Sequence, residues 1–154
     1  MTTVLEKKTF NYNDIKKLPE GTYEIIKGQL VEMTPTGFIH GRFESIFAEL
    51  LMRHLKDKGY IATGEVGIVT NKEPLTIRAA DIVYIRKDKL LEHPKGMLET
   101  PPDLIIEIVS ESNLQWELTE KIKDYLLFGV EKVVLIDPQT ESVSIYQRGK
   151  RDVL

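Results

Sequence analysis

The chain contains no cysteine. Disulfides and cysteine-ligated zinc are therefore excluded, and the composition suits a cytoplasmic home. No window approaches the roughly 18–20 apolar residues of a membrane-crossing helix. The opening "MTTVLEKKTF" has no apolar run of signal-peptide length. No membrane association is expected. The GxxxxGK[ST], GxGxxG and HExxH patterns are all missing, which removes the common phosphate-cradling, dinucleotide-binding and zinc-protease motifs. His40, His54 and His93 share no metal-ligand spacing, and Ser110 lacks the glycines of a nucleophile elbow. Neither charge sign dominates: 21 Lys and Arg face 24 Asp and Glu, for a net charge of −3. This argues against a protein coated in nucleic acid, but a local basic groove remains compatible. Basic residues do cluster, at Arg86, Lys87 and Lys89, at Lys121 and Lys123, and at Arg148, Lys150 and Arg151. Each cluster also reads as an ordinary solvated surface.

What is present fits one domain spanning residues 1–154, with 42% hydrophobic residues to build its core. Residues 1–20 form a polar arm, with a short helix near "YNDIKKL" begun by Asn13 or Asp14. "TYEIIKGQLVEM" reads as a β-hairpin turning at Lys27-Gly28. "HGRFESIFAELLMRHLKDKG" reads as a helix with Phe43, Ile46, Phe47, Leu50, Leu51 and His54 on its inner face and Gly59 as its stop. Three β-branched strands follow in "GEVGIVT", "IRAADIVYIRK" and "PDLIIEIVS". "SNLQWELTEKIKDYLLFGV" is a second helix. Its stripe is Leu114, Leu118, Ile122, Tyr125 and Leu126, with Gly129 at its end and Trp116 nearly opposite. "EKVVLIDP" and "ESVSIYQR" complete the set, the latter alternating Val143 and Ile145 with polar neighbours. A helix between the strands near 103–109 and 132–137 makes a right-handed crossover and lets them run parallel. The fold class is a mixed α/β (α+β) sheet with helices packed on it.

One residue conflicts with its surroundings. Glu107 interrupts the aliphatic run "LIIEIV", where an unpaired ionised carboxylate costs several kcal/mol or more. It needs a cation, a proton, or the open end of a sheet. Alternation puts Asp103, Ile105, Glu107 and Val109 on one face. A second acid, Asp81, begins "DIVYI" on a neighbouring strand. Lys121 falls at the edge of the second helix's apolar stripe, where its stem can pack while its ammonium reaches inward. The bland alternatives are a turn cap for Asp81, a buried salt bridge for Glu107, and an exposed pair with Glu117 for Lys121. Two acids and a lysine supply the hard oxygen ligands and positive charge that suit Mg²⁺, with Mn²⁺ an acceptable substitute.

The pieces "YEIIKGQLVEM", His40 at the start of the first helix, "RAADIVYI", "PPDLIIEIVS", "ELTEKIKDYLLFGVEKVVLIDP" and "VSIY" occur in the order found in the bacterial Uma-two family. Through them the chain resembles restriction-endonuclease-like members of the PD-(D/E)XK nuclease superfamily over most of residues 20–147. The resemblance implies a core of helix, three strands, helix and strand. It implies metal ligation by Asp81, Glu107 and the backbone carbonyl of Ile108, with Lys121 as the catalytic lysine, and it adds Glu24 and His40 as further site members. It also implies DNA as substrate, Mg²⁺ as cofactor and a homodimer as the working form. Three departures stand out. Ala80 replaces the proline of the first half-motif, Val109 occupies the superfamily's usual lysine position, and Glu117 stands where relatives often have Asp. Many relatives also continue beyond the last strand, with a tail expected to cover a sheet edge or contribute to a dimer contact. The alternative to an enzyme is a non-catalytic nucleic-acid- or protein-binding module on the same fold. A cytoplasmic, metal-dependent endodeoxyribonuclease is the leading expectation.

Overall fold

The computed structural model describes residues 8–150; the N-terminal part of the expected arm and Arg151 lie outside them. A 3-10 helix spans Tyr12–Lys17, and its N-cap is Asn11 rather than the expected Asn13 or Asp14. The Asn11 side chain accepts the Asn13 amide while Asp14 accepts the Asn11 amide, so Asp14 closes the cap instead of forming it.

Strands β1 (Tyr23–Ile26) and β2 (Gln29–Glu32) form the expected hairpin. Its two-residue turn holds Lys27 and Gly28 at φ 49° and 82°. Positive φ at both central positions matches the right-handed strand twist, and Gly28 meets that demand without strain.

Helix α1 covers Phe38–Leu55, beginning two residues before His40. Gly59 does not stop it. The helix ends at Leu55, and Gly59 instead opens strand β3 (Gly59–Lys72). β3 is twice as long as the "GEVGIVT" segment because a bulge between Thr63 and Val66 lets it bend and continue. The expected inner face of α1 is also narrower. Phe43, Phe47 and Leu51 pack on the sheet, whereas Ile46, Leu50 and His54 face outward.

β4 (Leu75–Arg86) follows, then β5 (Leu104–Ile108), α2 (Gln115–Phe128), β6 (Lys132–Asp137) and β7 (Ser142–Gln147). β5 and β6 are parallel across the α2 crossover, and the other strand pairs are antiparallel. Gly129 ends α2 at φ 117°, where a side chain would be strained. Leu118, Ile122 and Tyr125 are buried and Trp116 is exposed, as expected, whereas Leu114 of the expected stripe is exposed. On β7, Val143 and Ile145 face out and Tyr146 packs inward, the opposite of the alternation read from the sequence.

The helices lie on opposite faces of the sheet. α1 covers Ile82, Ile106, Ile108 and Ile136. α2 covers Ile105, Val133 and Leu135. β4 organises the centre. β3 pairs along one of its edges from Leu75 to Arg86. The other edge is divided: β1 meets it at Ile77, and β5 meets it from Ile82 to Tyr84. Residues 78–81 therefore face a fork between two diverging strands.

Candidate active site

An open fork leaves backbone groups without ladder partners, and each costs about 1–3 kcal/mol if buried unsatisfied. Here charged side chains replace the missing strand. Glu24 accepts the Ala79 amide at 2.9 Å. Lys121 donates to the Ala79 carbonyl at 2.8 Å. Asp81 accepts the Ile108 amide at 2.8 Å. Extending the β4–β5 register by one residue beyond Ile82↔Ile106 sets Asp81 opposite Glu107.

The fork thus gathers the residues that the sequence singled out. Glu24, His40, Asp81, Glu107 and Lys121 are all buried. Lys121 Nζ lies 3.2 Å from Glu24 and 3.4 Å from Glu107. His40 Nε2 lies 3.2 Å from Asp81 Oδ2. α1 delivers His40 from one face and α2 delivers Lys121 from the other. The exposed Glu117–Lys121 alternative does not hold, because Lys121 is buried and turned inward. For Ile108, the contact seen is through its amide rather than its carbonyl.

Other members were missed from the sequence, and of them only Glu44 left a local signal. Tyr125 donates its hydroxyl to Glu107 Oε1 at 2.7 Å, although its spacing marked it only as core. Arg78 links Glu24 at 3.4 Å with Asp124 at 2.7 Å. Glu44 sits one helical turn after His40, at 3.9 Å; this i, i+4 spacing was legible. Glu65 was not, because its place depends on the β3 bulge. It takes φ 60° directly after Gly64 at φ 87°.

Burial and charge compete across this cluster. Burial alone would raise Asp81, but hydrogen bonds from His40 and the Ile108 amide outweigh it and hold the carboxyl below its usual value. Burial pushes Glu107 well up, with Lys121 opposing and Asp81 adding to the shift. Burial would lower Lys121, but Glu107, Glu24 and Asp81 outweigh it and raise it, so the ammonium stays protonated. The hydrogen bond to Asp81 raises His40. Burial, then the Asp81 charge, push Glu65 up to about 7. Among the described residues, two buried polar atoms here lack a hydrogen-bond partner, His40 Nδ1 and Glu65 Oε2. Crowded carboxylates with unpartnered buried donor atoms fit a divalent cation.

A mixed sheet between two helices, with acids and a lysine meeting at a central fork, defines a restriction-endonuclease-like nuclease fold. The Uma2 family, described as "Putative restriction endonuclease", matches residues 11–153, and the chain belongs to that family. Its structure is similar to the crystal structure of "a putative nuclease belonging to DUF820" from Anabaena variabilis ATCC 29413. The TM-score is 0.79 at 21% identity, covering 94% of this chain and 84% of the other. No functionally curated protein matches.

Proposed function

We propose that the protein is a Mg²⁺-dependent endonuclease that hydrolyses DNA phosphodiester bonds, with Mn²⁺ able to substitute. The observation that carries this reading is the convergence on one fork of Asp81, Glu107 and Lys121 from three separate elements. Lys121 brings a cation from α2 where Val109 cannot. Asp81, Glu107 and the Ile108 carbonyl would hold the ion, which when bound supplies Lewis-acid stabilisation of phosphate charge and a more acidic water.

The chain's own groups do the rest. Protonated Lys121 orients the attacking water and offsets negative charge developing beside Glu107; it has no free pair to act as a base. Glu24 holds Lys121, and His40 holds Asp81, each within 3.2 Å. A homodimer is the proposed working form, since cutting both strands needs two sites.

The test is cleavage of supercoiled plasmid with Mg²⁺ or Mn²⁺. Glu107→Gln keeps an oxygen for the Tyr125 hydroxyl and should fold, yet lose activity by roughly 100-fold or more. Wild-type cutting by that variant would sink the proposal. One observation favours a second reading, a DNA- or protein-binding module without cleavage: Lys121 is already committed to the Ala79 carbonyl. That reading expects metal-independent binding, undiminished in Glu107→Gln.

A further inference from the structure

Beside the fork, on the α1 side, lies a second group of potential ligands. One ligand atom from each of His40, Glu44 and Asp81 lies within 4.8 Å of the others. His40 is about nine-tenths buried and has one settled partner. Its Nε2 faces Asp81 Oδ2 at 3.2 Å, whereas Nδ1 has no hydrogen-bond partner among the described residues and faces Glu44 Oε2 at 3.9 Å.

This division of the ring is informative. A metal-bound imidazole commonly donates its other N–H to a carboxylate, which fixes the tautomer and turns the free lone pair towards the ion. Asp81 stands where that carboxylate belongs. Glu44 is itself held, because its Oε1 accepts the Gly64 amide at 3.0 Å and leaves Oε2 to face the ring. The next residue after Gly64 is Glu65, whose buried Oε2 also lacks a partner.

We propose that His40 Nδ1 and Glu44 hold a second divalent cation of the Mn²⁺ class, with Glu65 beside it and Asp81 positioning the imidazole. A nitrogen donor among carboxylates favours borderline transition ions over Mg²⁺, which prefers an all-oxygen shell. Asp81 then joins two cation sites, the other lying towards Glu107. The inference extends the metal-dependent reading above, but its test requires neither DNA nor turnover.

The probe is Mn²⁺ alone, titrated into the full chain and followed by calorimetry and pulsed electron paramagnetic resonance. Wild type should bind two ions, one of them showing nitrogen coupling from a single imidazole. Glu44→Gln retains the oxygen that caps Gly64, so it should fold; it should weaken the nitrogen-coupled site by roughly 10–100-fold and spare the other. His40→Gln should abolish the nitrogen signal, and Glu107→Gln should leave it in place. An absent nitrogen signal in wild type, or an unchanged one in Glu44→Gln, would overturn the second site. Neither result bears on whether Glu107→Gln stops cleavage, so the two proposals fail separately.

Discussion

At the scale of single residues, the site joins chemistry to stability. Lys121 neutralises two buried carboxylates and caps a backbone carbonyl. Lys121→Met should therefore cost about 3–5 kcal/mol, read by chemical denaturation, because uncompensated charge remains inside. Adding Glu107→Gln to that variant should recover part of the loss. Tyr125→Phe removes the hydroxyl that donates to Glu107 Oε1, and its expected cost is about 1–3 kcal/mol. Glu65 sets a pH dependence. Burial first, then Asp81, raise its folded carboxyl from 4.5 to about 7, so the folded state holds the proton more tightly than the unfolded chain. Its stabilising effect is complete below about 4.5 and is lost as pH rises through about 7. Thermal melts with chelator present should show the melting temperature falling across that window. Glu65→Gln should flatten the slope, and an unchanged slope would remove Glu65 from the account.

At the scale of elements, β3 begins in close contact with the end of β4. A Cβ added at Gly59 would run into the Ile85 carbonyl oxygen. Gly59→Ala should cost about 1–3 kcal/mol, visible as a lower denaturation midpoint. This glycine also shows how far the sequence could be read. A glycine after a helical run resembles a helix stop, but close strand packing is invisible locally. The strands, the α2 crossover and its Gly129 cap were legible because periodicity and glycine punctuation are local signals. Glu107 stood out because one charge in an aliphatic run conflicts with burial. The bulge at Gly64 and Glu65 was hidden, since only the pairing with β4 requires it. The outward turn of Ile46 and Leu50 was hidden for a related reason: the sheet covers a narrower stripe of α1 than the apolar pattern offers.

At the scale of the whole molecule, that outward stripe matters. Ile39, Ile46 and Leu50 of α1 are 55%, 45% and 42% exposed. The proposed homodimer would cover apolar surface of this kind, and light scattering should return twice the 17.7 kDa chain mass. Ile46→Glu should shift that mass to the monomer while leaving the fold intact. A wild-type monomer at every concentration would remove the dimer from the proposal.

The fork in β4 has a consequence for descent. Glu24, Lys121 and Asp81 each bond a backbone group that the sheet leaves open. Among the described residues, the Glu107 carboxylate meets only side chains. A lineage released from selection for cutting could neutralise Glu107 early, by a change as small as Glu to Gln. It would keep the other three for much longer, because discarding them opens the sheet. Within such a lineage, the state of Glu107 records whether the chemistry is still in use, whereas its three neighbours record that the protein still folds.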